Sequence, residues 1–127
     1  MVHPQIAAFA RLAEENTPPI RALEGQKTLI SRTMHGFGYD AVHDEIVVTS
    51  ALTQAILIFR GGANGEEPPV RVIQGPHTQL LGTAYGGIDK VTVDGVNGEI
   101  YVFSVPDRFL VFDRTANGDD APKRIFK

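Results

Sequence analysis

The strongest constraint on this chain is that it repeats itself. Pro68-Pro69-Val70-Arg71-Val72-Ile73-Gln74-Gly75 matches Pro18-Pro19-Ile20-Arg21-Ala22-Leu23-Glu24-Gly25 fifty positions earlier, and Thr28 and Thr78 keep the same spacing. Ala121-Pro122-Lys123-Arg124-Ile125-Phe126 is a third copy. A second block aligns Asp40-Ala41-Val42-His43-Asp44-Glu45-Ile46-Val47-Val48-Thr49-Ser50 with Asp94-Gly95-Val96-Asn97-Gly98-Glu99-Ile100-Tyr101-Val102-Phe103-Ser104. A third block pairs Ile56-Leu57-Ile58-Phe59 and its tail Ala63-Asn64-Gly65-Glu66-Glu67 with Phe109-Leu110-Val111-Phe112 and Ala116-Asn117-Gly118-Asp119-Asp120. Three blocks in one order, about fifty residues apart, mean stacked copies of one supersecondary unit, each needing its neighbours to bury its apolar surface.

Within the repeat the apolar stretches are short, β-branched and bounded by turn residues, which predicts strands. They are Glu45–Ser50, Ala55–Arg60, Val70–Gln74, Lys90–Asp94, Glu99–Ser104 and Arg108–Asp113, with a shorter strand near Phe37–Asp40. Asn64-Gly65 and Asn117-Gly118 tolerate positive φ and turn the chain between antiparallel neighbours, as do Asp94-Gly95 and Asn97-Gly98. Each repeat then holds four strands in an up-and-down sheet. The N-terminus is ambiguous. Ile6, Phe9, Ala10 and Ala13 fall at helical spacing, so residues 4–16 alone predict a short helix. Yet Gln5 to Arg11 lies fifty residues before Ala55 to Gly61, with Ile6 under Ile56 and Phe9 under Phe59. That alignment predicts a strand whose helical propensity is overridden by its sheet context.

In Ile46-Val47-Val48 and Ile56-Leu57-Ile58-Phe59 apolar residues occupy both parities, so both faces of the sheet must be dry. Four-stranded sheets covered on both faces by copies of themselves are the blades of a β-propeller. The expected fold is therefore all-β, a partial propeller of antiparallel blades in one domain, 1–127. Residues 1–33 end a preceding blade, and 34–75 and 76–127 are blades, about two and a half in all. Closed rings need four to eight blades. If an open end exposes on the order of 400 Å² of apolar surface, covering it is worth roughly 10 kcal/mol, comparable to a whole domain's stability. The sequence thus predicts either further blades in a longer protein or copies that complete a ring between chains.

The run Asp89-Lys90-Val91-Thr92-Val93-Asp94-Gly95-Val96-Asn97-Gly98-Glu99-Ile100-Tyr101-Val102-Phe103, followed by Arg108-Phe109-Leu110-Val111-Phe112-Asp113, resembles the NHL-type repeat. Its features are an inner strand ending in Val-Asp, an Asn-Gly turn, an Ile-Tyr-Val strand and a Val-Phe-Asp strand. The long connection from Thr115 to Pro122 resembles that of a long-blade bacterial subgroup. Ser104-Val105-Pro106-Asp107 departs from the family in lacking its polar Asp-Asn-like loop. The resemblance implies a propeller used as a binding platform for protein, peptide or glycan. The alternative it leaves open is part of a propeller enzyme of lactonase or lyase type with a metal in its channel.

Propeller ligands sit at the channel mouth, near the start of each innermost strand. The 54-residue offset of that region places His35 opposite Asp89, and these are the channel-facing candidates; such groups can ligate a metal or exchange a proton. The recurring Asp40 and Asp94 are expected to make Asx turns, and Glu45 and Glu99 to be solvated at strand starts, rather than to bind calcium. Arg21, Arg71 and Arg124 recur on the outer strand, where they cover apolar surface or pair with carboxylates. His3, His43 and His77 lack metal-ligand spacing and read as loop residues. Gly36-Phe37-Gly38 and Gly86-Gly87 open no helix after a strand and form no phosphate cradle. Ser50 and Ser104 carry no nucleophile-elbow motif. The aromatics Phe59, Phe103, Phe109 and Phe112 are expected in sheet-to-sheet packing. No catalytic residue and no cofactor follow from these residues.

Charge and composition narrow the partners. A formal net charge of −3 without clustered Lys and Arg disfavours nucleic acid. Every apolar run is broken well short of a membrane helix, and the first residues show no basic cluster with an apolar core, so neither a membrane partner nor a signal peptide is expected in this sequence. Without cysteine there is no disulfide framework or thiolate chemistry, and the compartment is left unspecified.

Overall fold

The computed structural model of the chain describes residues 4–32, 34–80, 88–104 and 107–127, without the side chains of His35 and Asp89. It is an all-β structure of three antiparallel sheets. β1 (Gln5–Ala8) pairs with β2 (Arg21–Glu24) in a two-stranded sheet. The middle sheet runs in chain order through β3 (Met34–Asp40), β4 (Glu45–Ser50), β5 (Ala55–Arg60) and β6 (Arg71–Gln74). The last sheet repeats that order with β7 (Ile88–Asp94), β8 (Glu99–Ser104), β9 (Arg108–Asp113) and β10 (Arg124–Phe126). Single 3-10 turns at Gln26–Thr28 and Pro76–Thr78 are the only helical elements among the described residues.

The N-terminal helix is not formed. Residues Gln5–Ala8 are extended, with Ile6 opposite Leu23, and both side chains pack with the middle sheet's core. A helix here would gain only intrinsic propensity, whereas the strand buries apolar surface against a neighbour. The first strand of the middle sheet, β3, is also longer than expected, beginning at Met34 rather than Phe37.

Parity explains the stacking. In β4, Val47 joins one core and Val48 the other; in β5, Ile56 and Ile58 join the first, Leu57 and Phe59 the second. The first core is shared with Ile100, Val102, Leu110 and Phe112 of the last sheet. The second is shared with Leu23 and the half-buried Ile6. Side chains alternate across a strand, so a strand apolar at both parities is dry only between two partners, and the middle sheet has both.

The connection after β5 does more than turn. Gly65 donates its N–H to the Ala22 carbonyl at 2.8 Å, its carbonyl accepts from Glu24 N–H at 3.0 Å, and Asn64 Oδ1 accepts from Ala22 N–H at 3.1 Å. One repeat on, Gly118 donates to the Val72 carbonyl at 2.6 Å, accepts from Gln74 N–H at 2.9 Å, and Asn117 Oδ1 accepts from Val72 N–H at 3.0 Å. Each connection is thus a tongue that adds a single parallel bridge to the outer strand of the preceding sheet, Leu23 to Gly65 and Ile73 to Gly118. Both glycines hold φ +62°, where a side chain is disfavoured.

Candidate functional site

The two residues favoured by sequence, His35 and Asp89, lie on the backbones of β3 and β7. Their side chains fall outside the described part of the structure. Both positions coincide with a register shift: pairing jumps from Met34 to Phe37 against β4, and from Ile88 to Lys90 against β8. Such bulges re-aim side chains and recur beside functional sites. Sequence reasoning singled out these positions without the shift, because the extra residue shows only once the partner strands are aligned. His3 and Gly86-Gly87 likewise lie outside the described residues.

At the other end of β3 and β7, Asp40 Oδ1 accepts from Val42 and His43 N–H at 2.9 and 3.1 Å, and Asp94 Oδ1 accepts from Val96 and Asn97 N–H at 3.1 and 3.0 Å. These are the expected Asx turns. Asp40 is buried and also meets the His43 ring, Nδ1 to Oδ2 2.8 Å. Burial works to raise its pKa, but the bonds from His43 and Val42 outweigh that and hold it below the usual carboxylate range. The same place in the second repeat has Asn97 Nδ2 donating to Asp94 Oδ2 at 2.7 Å. An amide thus substitutes for the ring, which marks a structural contact.

Glu45 and Glu99 overturn the expectation of solvated side chains. Glu45 is largely buried and receives Arg71 Nη2 at 2.8 and 2.9 Å and Arg114 Nη1 at 2.7 Å. Burial alone would raise its pKa, but the two guanidinium groups lower it. Glu99, 8% exposed, takes a fork from Arg124 at 2.8 and 2.9 Å, the Tyr101 hydroxyl at 2.7 Å and Lys123 Nζ at 3.0 Å. Those bonds, led by Arg124, pull it far below the usual range. A carboxylate held this firmly in its anionic form is a poor general acid or base; it works as an anchor. Arg71 and Arg124 were expected to pair with carboxylates and do. Arg114 was missed, since Gly61 stands at its repeat position, and it ties the last sheet to the middle one.

Ser50 Oγ exchanges hydrogen bonds with Ser31 Oγ and Thr53 Oγ1, each at 2.7 Å, and Ser104 Oγ is buried without a partner among the described residues. Among those residues no group of three or more His, Asp or Glu is placed to hold a metal, and no helix is long and apolar enough to cross a membrane.

What the structure brings together instead is an aromatic surface. Phe59 and Phe112 are fully buried between sheets, as expected. Phe103 and Phe109 are not: they lie on the outer face of the last sheet, ring centroids 5.2 Å apart, and Phe109 stacks on Phe126 at 5.3 Å. Lys90, Val91, Thr92 and Tyr101 line the same concavity of about 410 Å³. Phenyl rings presented with a tyrosine and a lysine suit an apolar or aromatic partner group.

No protein-family model matches the chain, and comparison with curated proteins gives no match.

Proposed function

We propose that the chain is an NHL-like β-propeller segment of about two and a half blades that acts as a rigid binding platform for a protein, peptide or glycan within a larger ring. The observation that carries this reading is the stacking of two four-stranded antiparallel sheets, with the middle sheet dry on both faces. In this reading each four-stranded sheet is a blade, β3 and β7 are innermost, and the register shifts at His35 and Asp89 face the channel. The repeated tongues make adjacent blades mechanically one body, which suits a platform, since pre-organised surfaces lose little entropy on binding. A concavity of about 370 Å³ at the blade end, lined by Pro76 and Leu80 together with Thr53, Gln74 and Gln79, combines apolar surface with hydrogen-bonding groups for a peptide or sugar.

The test is a glycan-array and peptide-library screen with the full chain, run beside calorimetric titration with Ca²⁺ and Zn²⁺. Selective binding that Gln79→Ala weakens, with no saturable metal uptake, supports the platform. Tight metal binding abolished by His35→Ala or Asp89→Ala replaces it with a channel-metal enzyme. Failure to retain any glycan or peptide refutes it.

A further inference from the structure

We propose that the chain associates head to tail with a second copy of itself, the Phe9–Asn16 segment of one copy docking on β10 and the outer aromatic face of the next. This goes beyond the platform reading and does not rest on it. It follows from an interface that the chain builds twice internally and that, among the described residues, is left in two unmatched halves.

The first half is a tongue with no outer strand beneath it among the described residues. Residues Ala13-Glu14-Glu15-Asn16 stand at the repeat position of Ala63-Asn64-Gly65-Glu66 and Ala116-Asn117-Gly118-Asp119. The backbone is already folded as a tongue. Ala13 N–H donates to the Ala10 carbonyl at 2.9 Å, as Ala63 does to Arg60 at 3.1 Å and Ala116 to Asp113 at 3.0 Å. Thr17 N–H donates to the Glu14 carbonyl at 3.0 Å, as Glu67 does to Asn64 at 3.3 Å. Glu15 holds φ +44°, where the internal tongues have glycine at +62°. Glu15 thus keeps the left-handed conformation of the tongue without being glycine, as Asp44 does at the repeat position of Gly98. Beside it, Phe9 is 53% exposed, whereas its counterparts Phe59 and Phe112 are 0% exposed beneath neighbouring sheets.

The second half is an outer strand that carries no tongue among the described residues. β10 is the edge of its sheet. Its register is that of the other outer strands: Ile125 faces Leu110 as Val72 faces Leu57 and Ala22 faces Ala7. Ala22 and Val72 use their N–H and C=O for the tongue, and Ile125 presents the same two groups. Phe126 occupies the place of Leu23 and Ile73, which are 2% and 0% exposed under their tongues, and is itself 47% exposed.

Joining the halves reproduces the internal geometry. The Glu15 N–H donates to the Ile125 carbonyl, the Glu14 carboxylate accepts from the Ile125 N–H where Asn64 and Asn117 do so internally, and Phe9 covers Phe126 and Phe109. Charge is compatible: Glu14 and Glu15 meet an end where Lys127 follows Phe126, and where Lys123 and Arg124 are shared with Glu99. Composition agrees as well. On the face that meets a sister sheet, the middle sheet carries Val47, Thr49, Ile56 and Ile73; the last sheet carries Tyr101, Phe103, Phe109 and Phe126 at those positions. Aliphatic residues become aromatic where the partner is another molecule, the pattern of an interface rather than an interior. Because the two surfaces differ, the contact is heterologous and propagates until it closes.

Sedimentation velocity on the full chain over a wide concentration range tests this. Wild type is expected to form species that are integral multiples of the chain mass. Phe9→Asp and Phe126→Asp, at exposed positions with circular dichroism confirming the fold, are each expected to weaken association by about tenfold to a hundredfold, the factor that burying one phenyl ring supports. Mixing the two variants is the decisive measurement: each retains one intact half, so the mixture forms dimers and stops there. A wild-type chain that stays monomeric at every concentration overturns the proposal, as do oligomers indifferent to both substitutions or a mixture that forms no dimers.

Discussion

Two glycines on opposite sides of one sheet-to-sheet contact should respond very differently to the same added methyl group. Gly118, at the tip of the second tongue, holds φ +62° with open space where a Cβ would stand. Gly118→Ala therefore meets only the left-handed penalty, about 1 kcal/mol, and recovers part of it through a less free unfolded chain. Gly75, on the receiving side, holds φ +141° and ψ 169°, a region essentially restricted to glycine and costing other residues roughly 1–3 kcal/mol. A Cβ there also falls on the Asp119 carboxylate, which accepts the His77 N–H at 2.7 Å. The methyl group must push that side chain off the 3-10 turn it tethers, so Gly75→Ala is expected near the top of its range, about 3 kcal/mol. For a chain of this length 1 kcal/mol moves Tm by about 3–4 °C. Thermal unfolding followed by circular dichroism should then show Gly118→Ala within about 3 °C of wild type and Gly75→Ala about 10 °C below it. In an Asp119→Ala background the Gly75 penalty should shrink to its backbone part. Equal Tm values for the two glycine variants, or a Gly75 penalty untouched by Asp119→Ala, would refute this account of how the sheets lock.

Phe112→Ala empties a site with no solvent exposure between the two large sheets and is expected to lose about 3–5 kcal/mol in urea unfolding, whereas Phe109→Ala on the outer face loses far less. The pH dependence should have two limbs. The bond to Asp119 raises the pKa of His77 above its ordinary 6.5, so its contribution is complete below that pH and disappears as pH rises through the raised value. The Tm gap between wild type and His77→Ala should close on the alkaline side. Glu45, lowered from 4.5, contributes fully above that value and loses its contribution as pH falls through the lower folded one, so Glu45→Gln should flatten the acid limb of the Tm profile.

The strands were legible because their signal is local and doubled: apolar residues at both parities, repeated at a fixed offset, leave few architectures. The same repeat resolved the N-terminus correctly where propensity pointed the other way, since Ile6 inherits the environment of Ile56. The tongues were half legible. Asn64-Gly65 and Asn117-Gly118 announced positive φ, but an Asn-Gly pair reads as a local turn, and nothing near it in the chain shows that Asn Oδ1 reaches a backbone N–H more than forty residues back. The overlooked clue was the acid that follows each pair, Glu66 and Asp119, which the turn itself does not require and which meets the N–H of Lys27 and His77. Glu45 and Glu99 were misread for a related reason, because a carboxylate at a strand start looks solvated until the arginine repeating in step with it is placed on the same sheet.

Repetition reveals scaffold, and departures from it reveal use. Where three copies agree, as in the Pro-x-Arg that opens the outer strand, the residue serves the packing that every copy shares. Where they differ against local preference, the copy has a distinct neighbour. Glu15 in a glycine's conformation and Phe126 in an isoleucine's place are departures of this kind. They stand at opposite ends of the stack, and each supplies what the other lacks. Complementarity of those two faces is what an interface between molecules requires, and the mixed-variant sedimentation experiment measures it directly.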